Sequence, residues 1–100
     1  MYELSEEARR DVDAILDYTL HTYGLDQAQT YYASLREKFL TLVDNPMLCR
    51  ERDEFSPPVR IHRHVRHLIV YLDKETGGIF IVRVLHDRMD ILGHLEGQTD

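Results

Sequence analysis

The chain has 100 residues, of which 43% are hydrophobic and 30% charged, enough for one domain with one core and too little for two. Cys49 is the only cysteine, which excludes an intramolecular disulfide and a four-cysteine zinc site. No apolar run approaches the ~20 residues of a membrane span, and Met1-Tyr2-Glu3 lacks the basic and apolar segments of a signal peptide, so a cytoplasmic chain without membrane contact is expected.

A formal charge of −6 argues against binding nucleic acid through bulk attraction to phosphate. The charge is unevenly spread. Residues 1–45 hold nine acidic and four basic side chains, whereas 46–100 hold nine and eight, with five of the six histidines. Within the second half, Arg60 to His67 carries three arginines, three histidines and no carboxylate. An anionic partner is expected to meet the chain there.

In chain order, Tyr2-Glu3-Leu4 alternates like a first or edge strand. Ser5 can cap a helix whose first turn holds Glu6 and Glu7, where the helix dipole favours negative charge. Ala8, Val12, Ile15, Leu16, Thr19 and Tyr23 then form one apolar stripe, and Gly24 ends the helix. On its solvated face, Arg9 and Arg10 can each pair with Asp13. Asp26 to Gln29 has the form of a capping box for a second helix, with a stripe of Ala28, Tyr31 or Tyr32, Leu35, Phe39, Leu42 and Val43, ended at Asn45-Pro46. So short a turn at Gly24-Leu25 makes the helices an antiparallel hairpin, which must lay its apolar face on a sheet.

Residues 46–58 read as a loop, with Arg50 to Glu54 almost all charge and Pro57-Pro58 fixing an extended entry to the next strand. Strands follow over Val59–His62 and His67–Leu72, with a turn at Arg63–Arg66. A glycine-containing turn at Asp73–Gly78 leads into the most apolar strand, Ile79–Leu85. Strict alternation puts Phe80, Val82, Val84 and His86 on one face of it and Ile81, Arg83 and Leu85 on the other. Arg83 thus interrupts an apolar face, and a guanidinium there must be paired or open onto a cleft. The fold class is α+β: an N-terminal strand, an antiparallel helical hairpin and a small antiparallel sheet, in one domain over residues 2–95 with a frayed tail at 96–100.

Several phrases are similar to one family. Tyr2-x-Leu4-Ser5-x-x-Ala8-x-x-Asp11, Tyr23-Gly24-x-x-x-Ala28, Asn45-Pro46, then Arg60, His67 and Tyr71, and finally Arg83-Val84-Leu85-His86-x-Arg88-Met89-Asp90 with His94-Leu95 resemble ParE-type toxins of the RelE/ParE superfamily. The chain departs from that pattern at Pro58 and Val65, where glycines are usual nearby. The resemblance implies non-enzymatic inhibition of DNA gyrase by stabilising its cleaved-DNA state, and neutralisation by a ParD-like antitoxin with a tail that folds on binding. No cofactor and no sequence-specific DNA binding by this chain alone are expected.

The site residues divide by function class. Target contact is assigned to the cationic set Arg60, Arg63, Arg66, Arg83, His86 and Arg88. Antitoxin contact is assigned to Tyr18, Leu25, Tyr31 and Leu40, which flank the buried stripes. RelE-like relatives cut messenger RNA on the ribosome, and Glu54, Arg60, Arg83 and His86 are the residues that could supply a base, cationic stabilisation and an acid for that reaction. The chain has only two lysines, Lys38 and Lys74, which weighs against such phosphate chemistry. A third reading is a decayed toxin that acts only as a binding partner or corepressor. His62 and His64 share a strand face as metal ligands do, but no third ligand is evident and they read as a structural or merely exposed pair. Tyr71 reads as core, its hydroxyl satisfied at an edge.

Overall fold

A computed structural model of the chain describes residues 1–89. Two helices pack on one face of a five-stranded sheet. The elements are β1 (Tyr2–Leu4), α1 (Glu6–Tyr23), α2 (Leu25–Asp44), a 3-10 turn (Pro46–Leu48), β2 (Glu51–Arg52), β3 (Val59–His64), β4 (His67–Asp73) and β5 (Ile79–His86). The sheet order is β1-β5-β4-β3-β2. β2 to β5 are antiparallel neighbours as the turns dictate, and β1 joins β5 in parallel, which makes the whole sheet mixed.

Local chemistry sets these elements. Ser5 caps α1, accepting the Ala8 N–H at 2.9 Å. A single residue, Gly24, separates the helices: its N–H donates to the Leu20 carbonyl at 2.9 Å and its own carbonyl accepts the Ala28 N–H at 3.1 Å. Its φ of +98° suits glycine. Gly24 thereby begins α2 itself, and Asp26 lies inside the helix rather than capping it. Between β3 and β4 the strands run to His64 and from His67, so the turn is Val65-Arg66 and Arg63 belongs to the strand. The charged stretch expected to be loop forms the two-residue edge strand β2.

The core follows the predicted stripes with one change of face. Ala8, Val12, Leu35, Phe39 and Leu42 pack on Ile69, Tyr71, Ile79, Ile81 and Val84. On the outer face, Phe55 folds over Val59, Val70 and Leu85, with Ile61, Leu72 and Val82 around them. Strict alternation does not place Ile81 and Val84 together. A bulge does so: Val70 pairs with Arg83 and Tyr71 with Ile81, leaving Val82 as the extra residue and reversing the parity beyond it. Tyr23, at the end of the α1 stripe, is 67% exposed and lies outside the core. Tyr71 is fully buried and donates its hydroxyl to the Pro46 carbonyl at 2.9 Å. No described helix is long and apolar enough to cross a membrane. Asp90, His94-Leu95 and the 96–100 tail lie outside the described residues.

Candidate functional site

Beyond Leu4, β1 stops and the edge of β5 needs other partners. The start of α1 supplies them. The Ser5 N–H donates to the Ile81 carbonyl at 2.9 Å and its hydroxyl to the Val82 carbonyl at 2.6 Å. Asp11, on the second turn, accepts the Val84 N–H at 3.0 Å and takes Arg83 in a two-bond fork, Nε at 2.7 Å and the terminal amino group at 2.9 Å. The side chains of Arg83 and Asp11 are only 16% and 14% exposed. The Asp11 hydrogen bond raises the Arg83 pKa further above its ordinary value against the opposing effect of burial. The carboxylate required by the guanidinium is therefore Asp11, and the family-like spacing Ser5-x-x-Ala8-x-x-Asp11 is what closes this edge.

Arg60 is similarly held. It bonds both Asp73 oxygens at 3.0 and 3.3 Å, the Cys49 carbonyl at 2.6 Å and Met47 Sδ at 3.0 Å. The remaining cations gather where the β3–β4 turn and the end of β5 meet. Arg63 bonds Asp87 at 2.7 Å and the Val65 carbonyl at 3.3 Å, and the Arg66 carbonyl accepts the Asp87 N–H at 2.8 Å. Arg66 and Arg88 are exposed, and neither pairs with a carboxylate among the described residues. Val65, at the tip between them, is 64% exposed with φ +57°, a conformation that β-branched residues rarely adopt.

Below that tip, one rung of the sheet is made of histidines. His64 pairs with His67 across β3–β4, and His67 with His86 across β4–β5, all on the helix side. The His67 and His86 rings meet edge-on at 5.6 Å. Tyr31 of α2 lies 2.6 Å from His67 Nδ1, and Ser34 lies 3.1 Å from His64 Nε2. Burial is the main force lowering the pKa of His62, His64 and His67; Lys38 adds to it for the first two and His86 for the third, with Asp87 opposing at His67. Burial pushes the Tyr31 pKa up to about 12. With both groups neutral, the hydroxyl can donate to Nδ1 in the tautomer that carries its proton on Nε2. His62 sits 3.4 Å from the Cys49 thiol. Among the described residues, no three His, Cys, Asp or Glu side chains converge as a metal site.

The residues of the nuclease reading are held in four separate contacts. Glu54 pairs with Arg52 at 2.8 Å, a hydrogen bond that holds its carboxyl below the usual range and makes it a poorer base. Arg60 is on Asp73, Arg83 on Asp11, and His86 beside His67 and Asp87. The bulge does not bring Arg83 to His86.

On the helical hairpin, Tyr18, Leu25 and Leu40 are 64%, 59% and 46% exposed. Tyr31 instead turns towards the sheet, and its neighbour Tyr32 faces outward under Arg36, 5.8 Å from the ring centre. Between the helices and β1 opens a groove of about 250 Å³, with an apolar floor of Leu4, Val12, Leu16 and Phe39 and a rim of Arg9, Asp13 and Arg36. Sequence reasoning passed over that rim, because Arg9 and Arg36 look like ordinary solvated helix positions until two helices and a short edge strand surround them.

Known proteins match this chain over nearly the whole run of elements. A model of the family described as ParE toxin of type II toxin-antitoxin system, parDE, matches residues 2–91. Toxin ParE1 of Mycobacterium tuberculosis is 36% identical over 90 residues, covering 90% of this chain and 92% of the relative. Toxin ParE of Escherichia coli is 29% identical over 94 residues (94% and 91%), and Toxin ParE1 of Caulobacter vibrioides 27% over 94 residues (94% and 96%). With its helical hairpin on a sheet and a family match across nearly all of its length, the chain belongs to the ParE toxin family of type II toxin–antitoxin systems.

Proposed function

We propose that the chain arrests growth by binding DNA gyrase and stabilising its cleaved-DNA state, in the cytoplasm, until a ParD-like antitoxin neutralises it. The observation that carries this reading is the exposed cationic tip around Arg63, Val65, Arg66 and Arg88, where Arg66 and Arg88 make no ion pair among the described residues. Arg60 and Arg83 belong to the framework behind it. The dispersal of Glu54, Arg60, Arg83 and His86 into separate contacts favours binding over cleavage.

For the antitoxin, the groove between the hairpin and β1 offers an apolar floor with guanidiniums at its rim, suited to an apolar, acidic tail that orders on binding. Tyr18, Leu25 and Leu40 are exposed on the same helical hairpin and are further candidate contacts, while Tyr31 is turned to the sheet and bonds His67. The test is induction of the chain in cells lacking the antitoxin, with gyrase-linked DNA breaks and ribosome-bound messenger cleavage measured side by side. Broken chromosomes with intact messages are expected. Cleaved messages with intact chromosomes would move the function to the ribosome, and neither effect would leave a binding partner without toxicity.

A further inference from the structure

We infer that the β3–β4 hairpin tip touches DNA itself, Val65 lying against a base step while Arg63, Arg66 and Arg88 meet the flanking phosphates. This rests on the gyrase reading and adds what the tip contacts there. Val65 is the starting point. It occupies the first position of a two-residue turn at φ +57°, where glycine would sit without strain, and it is 64% exposed, so packing within the described chain does not repay that strain. An outlier kept at an exposed tip points outward, to something the side chain meets.

The surroundings specify the chemistry. Val65, even together with the half-exposed Met89 beside Arg88, offers far too little apolar surface to anchor a protein interface, which takes about 800 Å² from each partner. The groups around it are guanidiniums, and the one carboxylate between them among the described residues, Asp87, already has an oxygen committed to Arg63. The fitting partner is anionic at its rim and apolar at its centre, as a base step between phosphates is. A two-stranded ribbon is narrow enough to enter a DNA groove, and apolar side chains placed against a step can hold it partly unstacked. At a cleaved step, where stacking is already interrupted, such a wedge costs least and keeps the two ends from meeting again. The tip is braced for this: Arg63 ties the Val65 carbonyl to Asp87, and the Arg66 carbonyl holds the Asp87 N–H. At a net charge of −6 the chain does not gather DNA alone, so the enzyme must present it.

The experiment uses the full chain, purified gyrase and end-labelled linear DNA, with an aliphatic diazirine amino acid replacing Val65, alongside Val65→Gly, Val65→Ile and Arg66→Glu. Cleaved DNA from the unaltered chain, photo-crosslinks to labelled DNA, a fall of about tenfold in cleaved DNA for Arg66→Glu and Val65→Gly, and retention by Val65→Ile are expected. Val65→Gly relieves the turn, so its loss of activity would come with a higher melting temperature and could not be put down to unfolding. Crosslinks confined to gyrase polypeptide, or full activity of Val65→Gly, would overturn the inference and leave the gyrase reading standing. No cleaved DNA from the unaltered chain would overturn both.

Discussion

Arg83 on β5 and Arg66 in the β3–β4 turn both belong to the half of the chain that holds most of its arginines, and the physical chemistry of the two regions differs. Arg83 lies at an edge where β1 has ended; its side chain is 16% exposed, and Asp11 takes two of its N–H groups along with a backbone N–H of the same strand. Arg66 is exposed at a turn whose neighbouring valine is strained, and no described carboxylate pairs with it. Charge alone would put both in one cationic patch. Accounting for where each guanidinium's hydrogen bonds go separates a framework that holds the sheet edge from a tip that is free to meet a partner.

The framework side of the comparison makes the largest prediction. Asp11→Ala strands a mostly buried guanidinium and an edge N–H together, and should cost about 3 kcal/mol of stability, read as a lower urea midpoint. Arg83→Ala in the same background should cost little more, since its partner has already gone; additive losses would show that the two side chains are not coupled. At the tip the sign reverses. Val65→Gly should raise stability by about 1 kcal/mol, the relief of the left-handed backbone exceeding the added freedom of the unfolded chain. A destabilised Val65→Gly would mean that the side chain packs within the fold and that the tip belongs to the framework after all.

The difference between the two regions also explains what could be read in advance. Ser5, Ala8, Val12 and Leu35, Phe39, Leu42 were legible because helix periodicity and capping are local, and so were the hairpin and the burial of Tyr71. The partner of Arg83 was not, because 72 residues separate it from Asp11 and only the assembled edge brings them together. The bulge is not legible in the sequence because Ile81, Val82, Val84 and Leu85 are equally apolar, so no residue marks the slip of parity. Periodicity also left Tyr31 and Tyr32 undecided, being adjacent on one turn; the sheet's histidine rung settles it by bonding Tyr31. At Val65 the residue type argues against a positive φ, which widened the predicted turn to Arg63–Arg66 and moved Arg63 off its strand.

The histidine rung lies between the two regions and provides a pH test. The folded pKa values of His62, His64 and His67 lie below the ordinary 6.5, with burial the leading cause. In the window below 6.5 the unfolded chain therefore binds more protons than the folded one, so stability is complete above that value and declines as pH falls towards the depressed values. Melting temperature should drop between pH 7 and 5. His67→Gln, which keeps a hydrogen-bonding group near Tyr31 but cannot titrate, should flatten that slope; an unchanged slope would place the proton uptake elsewhere.

The smallest expected effect on stability is the most informative about function. Arg66→Ala and Arg88→Ala remove exposed side chains with no described ion pair and should shift stability by less than about 0.5 kcal/mol. Toxicity per folded molecule should nonetheless fall for both. Arg83→Ala should show the opposite pattern, losing activity only in proportion to the protein it leaves unfolded, because its guanidinium is already spent on Asp11. Measuring growth arrest against the soluble, folded amount of each variant separates the two cases. If Arg83→Ala lost toxicity while remaining folded, the sealed edge would have to open on the target, and the boundary between framework and tip would run through β5.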